Sequence, residues 1–138
     1  MRLFLDSSAL AKRYIREPSS SDVIARCRDA DEIILSVLCP IEILSGLNRL
    51  RREGKLSLAD YRALKKDLSA DIAQASIVPV DPEIVKIARI CLEKSPLRAL
   101  DAIHVASAKA SRCDLFLSAD RQQTLAATVS GLNAELLK

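Results

Sequence analysis

Four acidic residues stand where carboxylates are costly. Asp6 closes the apolar run Arg2–Leu5, Glu42 lies inside Pro40-Ile-Glu-Ile-Leu-Ser45, Asp101 inside Leu97-Arg-Ala-Leu-Asp-Ala-Ile-His104, and Asp120 closes Leu115-Phe-Leu-Ser-Ala-Asp120. An unpaired carboxylate in apolar surroundings is strongly disfavoured. Gathered together, a pair about 4 Å apart repels by roughly 4 kcal/mol at an effective dielectric near ~20. One or two hard divalent cations remove that repulsion, and oxygen-only ligation favours Mg²⁺ or Mn²⁺ over zinc. Such an ion polarises a phosphate and helps ionise a water for in-line attack. Singly, Asp6 and Asp120 read equally well as helix caps after strands, and Glu42 and Asp101 as first-turn acids favoured by the helix dipole. All four in register favour the site. His104, one turn after Asp101, reads as a hydrogen-bonded histidine on a helix face rather than a general base.

The elements that must aim these acids alternate short apolar runs with longer helical patterns, as in a parallel α/β sheet. Strands are predicted at Arg2–Leu5, Ile33–Ser36, Ile77–Val80, Asp114–Leu117 and Ala134–Leu137. Ser19–Ser21 cap a helix running to about Arg28, Pro40 sits in the first turn of one ending near Gly54, and Ser57 caps the next. Asp81-Pro82-Glu83 starts another, followed by helices over Leu100–Ser111 and Arg121–Val129. The expected fold is α/β: a single domain over residues 1–138, with a central parallel sheet of four to five strands flanked by helices. Two helices separate the second and third strands where one crossover would suffice. The extra one is expected to protrude as a helical hairpin serving a partner. Ligands of open parallel sheets bind beyond the carboxyl ends of the strands. Asp6 and Asp120 end strands, while Glu42 and Asp101 lie early in helices that start on that rim.

The chain of 138 residues is 49% hydrophobic and 28% charged, which excludes a disordered chain. No apolar stretch is long enough to span a bilayer. The N-terminus enters a strand at once, so a cytoplasmic protein is expected. Four cysteines and one histidine without a Cys-x-x-Cys pair support reduced structural thiols, not zinc. Setting the four candidate acids aside leaves 14 acids against 21 Lys and Arg, a surplus of +7 that suits an anionic partner. The basic residues concentrate between Arg49 and Lys66, with a second group at Lys12, Arg13 and Arg16. With no Trp and only four Phe and Tyr, backbone phosphate contact is a better mode than base stacking. Arg13, Arg49 and Arg52 are candidate RNA contacts, against the simpler reading of a solvated helix face.

At the segments Leu5-Asp-Ser-Ser-Ala-Leu10, Glu42-Ile-Leu-Ser-Gly-Leu47, Leu97–Ala108 and Leu117-Ser-Ala-Asp120 the chain resembles the PIN-domain family, in particular the VapC-like toxins of toxin–antitoxin pairs. The resemblance covers essentially the whole chain, and the third segment is its most specific part. It implies a metal-dependent RNA endonuclease using Mg²⁺ or Mn²⁺, with Asp6, Glu42, Asp101 and Asp120 as catalytic and metal-binding quartet and Ser7 and Ser118 in supporting roles. It also implies a small antitoxin protein as partner and a homodimer formed through the two consecutive helices. For that interface Ile41, Leu44, Leu47, Leu50, Leu64 and Leu68 offer the apolar surface. A dehalogenase-type phosphatase would want Asp-x-Asp, which Asp6-Ser7-Ser8 lacks, and the paired acids of a receiver domain are absent. A PIN-like RNA-processing nuclease outside a toxin pair, or a non-enzymatic RNA-binding or partner-docking module, remain the alternatives.

Overall fold

A computed structural model describes residues 1–138. Strand β1 (Arg2–Leu5) is followed by a four-residue helix α1 (Ser7–Leu10) and a 3₁₀ turn (Ala11–Arg13), then α2 (Ser20–Asp29) and β2 (Glu32–Ser36). Helices α3 (Leu38–Arg52) and α4 (Leu58–Gln74) lead to β3 (Ser76–Val78). Helices α5 (Pro82–Lys94) and α6 (Ala99–Ser111), β4 (Leu115–Ser118), α7 (Arg121–Val129) and β5 (Ala134–Leu136) complete the chain.

The punctuation seen in the sequence acts as caps. Ser57 accepts from the Asp60 N–H at 3.0 Å, and Asp81 accepts from that of Ile84 at 2.9 Å, with Pro82 in the first turn. Gly54 and Gly131, at φ +73° and +92°, take the left-handed turns after α3 and α7. Pro40 is tolerated because it falls in the first turn of α3, where no intrahelical acceptor awaits its missing N–H. Beyond one-residue differences at an end of β2, β5 and α6, three elements differ from expectation. Helix α1 was not foreseen, β3 stops at Val78 ahead of Pro79, and β4 is shifted by one residue so that Ser118 lies within it.

All five strands are parallel, in the order β3-β2-β1-β4-β5. The chain winds outward from β1 to β3 on one side, then crosses to β4 and β5 on the other. The direction therefore reverses between β1 and β4, where Leu5 stands opposite Leu117. Period-two alternation splits the core. Leu3, Leu5, Leu35, Leu115 and Leu117 face one layer with Val23, Cys39, Ile43, Leu47 and Leu68. Phe4, Ile34 and Phe116 face the other with Ile84, Ala88, Val105 and Ala127. The Phe4 and Phe116 rings stack at 5.6 Å across the β1–β4 pair.

The α3–α4 pair corrects one expectation. Leu47 and Leu68 are 0% and 1% exposed and belong to the core, and Leu44, Leu50 and Leu64 are half-buried, so of the six residues assigned to a dimer face only Ile41 stands exposed, at 65%. Helix α4 is otherwise largely solvent-facing. No helix is long and apolar enough to cross a membrane.

Candidate active site at the sheet's switch point

In doubly wound sheets the crevice opens where the strand order reverses. Here that point is the carboxyl end of β1 and β4, and the residues directly beyond them are Asp6 and, two past Ser118, Asp120. Each acid begins a helix. Asp6 caps α1 through the Ala9 N–H at 2.9 Å, and Asp120 caps α7 through those of Gln122 at 2.8 Å and Gln123 at 3.2 Å. The capping and the functional readings thus fall on the same side chains.

Asp6 is 0% exposed, yet both its oxygens are met: Oδ1 by Ser8 Oγ at 2.7 Å and the Ala9 N–H, Oδ2 by Ser118 Oγ at 2.5 Å. Burial pushes its carboxyl up from the ordinary range, opposed by Ser118, Ser8 and Ala9. Glu42, on the second turn of α3, accepts at Oε1 from Ser7 Oγ at 2.9 Å and from His104 Nε2 at 2.5 Å. Burial alone would raise its pKa, but the His104 and Ser7 hydrogen bonds and the nearby Arg98 hold it below the ordinary value. Because an ionised Glu42 only accepts, His104 Nε2 must carry the proton. Asp101, in the first turn of α6, accepts at Oδ1 from Gln123 Nε2 at 3.1 Å, with Arg98 Nε 3.6 Å from Oδ2. Burial and then the Asp120 charge push its pKa up, with Glu42 adding and Arg98 opposing.

The four predicted acids are therefore brought to one rim, and both predicted serines touch it: Ser7 on Glu42, Ser118 on Asp6 and on the Asp120 N–H at 2.9 Å. Arg49 lines the adjoining groove with Glu42, and Arg52 lines a neighbouring one with Glu42, Ile41 and Leu100. Arg13 points to other company, pairing with Asp71 of α4 at 3.5 Å. Three contacts were not read from the sequence. Ser8 bridges Asp6 and the Ala119 N–H, the latter at 2.9 Å; His104 is buried against Glu42; and Gln123 holds both Asp101 and Asp120. The helical spacing of His104 from Asp101 was a usable signal for the second; the others join elements far apart in sequence.

These residues fit a divalent cation by donor chemistry. Glu42, Asp101 and Asp120 each have one oxygen hydrogen-bonded within the chain and leave Oε2, Oδ2 and Oδ2 without a hydrogen bond. The raised Asp101 shows the like-charge tension that a cation relieves. As placed, no three His, Cys, Asp or Glu side chains close on a common point. Each acid is held by the chain's own donors. Cys39, beneath Asp6 and Glu42, is buried and its thiol is pushed up to about 12, so it acts as an inert apolar packing group.

The architecture is a doubly wound parallel α/β sheet with acids on the rim at its switch point. The sequence model of the PIN domain matches residues 3–128, and the chain belongs to the PIN-domain family. It is similar to Ribonuclease VapC46 of Mycobacterium tuberculosis, 28% identical over 117 residues that make 82% of this chain and 78% of that one. FitAcB from Neisseria gonorrhoeae shares the fold at a TM-score of 0.72 and 17% identity, over 96% of this chain and 95% of that. A toxin–antitoxin complex from Klebsiella pneumoniae does so at 0.65 and 12%, over 88% of each.

Proposed function

We propose that this chain is a VapC-like toxin: an endoribonuclease that hydrolyses RNA phosphodiester bonds with Mg²⁺ or Mn²⁺, and is held in check by a small antitoxin. What supports the reading is that Asp6, Glu42, Asp101 and Asp120 share the rim beside the β1–β4 switch point of a PIN domain. The oxygens of Glu42 and Asp120 that take no hydrogen bond would hold the ion, joined by Asp101 Oδ2 on release from Arg98 and by Asp6 on yielding a serine hydroxyl. When bound, the ion polarises the scissile phosphate and eases ionisation of an attacking water. Ser7 and His104 orient Glu42 and keep it ionised, so that its second oxygen is available to ligate or to take a proton. Arg49 and Arg52 supply phosphate contacts along the grooves beside Glu42, and Arg98 adds an exposed cation at the mouth.

The named relative VapC46 is a ribonuclease, which supports RNA as the substrate, and the Klebsiella assembly supports an antitoxin. A groove of about 410 Å³ lined by Tyr14, Ile15, Ile43, Leu47 and Leu50 runs to Ser7, Glu42 and Arg49. It suits an apolar antitoxin segment that ends in an arginine placed against Glu42, whose planar fork binds carboxylates bidentately. Exposed Ile41 and Leu100 flank the neighbouring groove and form the seed of a homodimer contact. The compartment of such an activity is the cytoplasm.

The test is cleavage of RNA by the purified chain. Activity is expected with Mg²⁺ or Mn²⁺, abolished by EDTA and by Asp101→Asn or Asp120→Asn. Metal-independent cleavage, or variants as active as the parent, would refute the catalytic assignment; RNA binding without cleavage would favour the non-enzymatic module.

A further inference from the structure

Arg2, Arg13, Arg26 and Arg28 each pair with a neighbouring acid. Along the α3–α4 pair the pattern is different: Arg49, Arg51, Arg52, Arg62, Lys65 and Lys66 have no acid within ion-pair distance. A helix C-terminus is matched by about half a positive charge, so the three arginines in the last turn of α3 exceed what its dipole needs. Arg51 is half-buried and fixed. Its guanidinium carbon lies 4.8 Å from the centre of the Tyr61 ring, and Nη1 donates to Asn48 Oδ1 at 3.4 Å. Asn48 in turn donates to the Tyr61 hydroxyl at 2.9 Å and to the Leu44 carbonyl at 2.8 Å. The Nε and Nη2 of Arg51 take no partner in the chain. Arg51 lines a hollow of about 290 Å³ with Asn48, Arg52, Leu56 and Leu58.

Helix α4 sorts its charges by flank. Tyr61, Leu64 and Leu68 pack inward. Arg62, Lys65 and Lys66 follow Leu58 at i+4, i+7 and i+8, so they share the flank that borders the hollow. Asp60, Asp67 and Asp71 fall on the opposite flank, where Asp67 and Asp71 meet Arg13 and Tyr14. Arg52 lines both the hollow and the groove that holds Glu42 and Arg49. A line of cations therefore leaves the acidic rim, follows α3 for about 15 Å from Glu42 to Arg52, and continues along α4.

We propose that this line is a track for the phosphate backbone of an RNA strand, running from the rim over Arg52 to the basic flank of α4, with Arg51 as its fixed cation. The inference rests on RNA as the substrate. A guanidinium already held in place loses little freedom on binding, and its unpartnered Nε and Nη2 form the edge that grips a phosphate bidentately. No free aromatic face lines the track, since Arg51 covers Tyr61, so bases are not stacked there. The track extends the hold on the substrate beyond the cleaved bond and reads no sequence.

The experiment is filter binding of labelled RNA strands to the purified full chain in EDTA, where no metal-dependent cleavage consumes them, across a salt series. Replacing Arg62, Lys65 and Lys66 together by Ala should lower the log–log salt slope by about 2, at about 0.7 per lost phosphate contact. It should weaken binding of unrelated sequences by the same factor. Arg51→Gln should lower the slope by about 0.7 from the other helix. Lys86, Arg89 and Lys94 of α5, exposed and without acid partners, supply the control. Their triple Ala variant loses the same charge and should keep the parent's slope. Equal losses from the two triple variants would make net charge the cause and overturn the track. So would an α4 triple on the parent's curve, or a loss confined to one RNA sequence. An α4 triple that binds RNA like the parent but no longer binds poly-glutamate would assign the flank to an acidic protein segment instead. If the parent cleaves RNA with Mn²⁺ while the α4 triple binds as the parent does, the track alone falls. If the α4 triple loses slope but no metal supports cleavage, the nuclease reading falls and the track stands. A parent that binds no RNA refutes both.

Discussion

The acids at the switch point differ in how they are held, and that difference has consequences at the level of single residues. Glu42 is kept ionised by His104 and Ser7, whereas Asp101 is pushed up by burial and by Asp120. A carboxylate whose folded pKa is raised binds protons more readily in the native than in the unfolded state, so its ionisation weakens the fold as pH climbs through that window. In EDTA, Asp101→Asn should therefore melt above the parent at pH 7. Its advantage should shrink as pH falls to the ordinary carboxylate value, where the parent's Asp101 is itself protonated. Added Mn²⁺ should reverse the order at pH 7 by stabilising only the parent. A variant that melts at or below the parent in EDTA at pH 7 would show that Arg98 and Gln123 already neutralise the site.

At the level of elements, strands were legible because each is a short apolar run cut by a charge or turn residue, and β1 begins and ends as predicted. Capping signals placed α4 and α5 for the same reason: Ser57 and Asp81 act within their own turn. Helix α1 was invisible because four residues carry no helical periodicity; Asp6 and the packing of Ala9 and Leu10 create it. The acids were legible as charges in apolar segments. Their partners Ser8 and Gln123 were not, since nothing local says that Gln123 will meet Asp101, 22 residues earlier. The apolar positions of α3 and α4 were read correctly as apolar, but Leu47 and Leu68 belong to the core, because a helix pattern does not reveal which neighbour covers it. Leu68→Ala should accordingly cost about 2–5 kcal/mol by urea denaturation, the usual loss for a core leucine. Ile41→Asp should leave the urea midpoint near the parent's and turn the light-scattering mass from dimer to monomer. A monomeric parent at micromolar concentration would rule out the dimer.

For the whole molecule, charge is distributed in two ways that an RNA substrate would distinguish. Arg49 and Arg52 border the acidic rim, while Arg13 is spent on Asp71. Replacing both Arg49 and Arg52 by Ala should weaken RNA binding and flatten its salt dependence by about 0.7 in log–log slope per lost phosphate contact. Arg13→Ala should change the slope little and lower stability instead, which a filter-binding series at several salt concentrations would separate. An antitoxin arginine seated on Glu42 would occupy what both ion and phosphate need. Inhibition should then fade as Mn²⁺ rises, and inhibition indifferent to Mn²⁺ would place the blocking contact elsewhere.

The β1–β4 pairing also dictates when the site comes into existence. Ser118 meets Asp6 across 112 positions of chain, and Leu137 then closes on Ser118 by donating its N–H to the carbonyl at 2.8 Å. Parallel neighbours so distant cannot pair until both have been made. A ribosome adding about 5–20 residues per second leaves Glu42 waiting roughly 4–15 s for Ser118 to be synthesised. Throughout that interval the nascent chain holds half a catalytic centre and can cut nothing. A chain cut short before Asp120 is harmless for the same reason. The site closes only when β4 docks on the side of β1 that β2 leaves open. An inhibitor need be present only then, and it gains nothing by binding the acidic rim sooner.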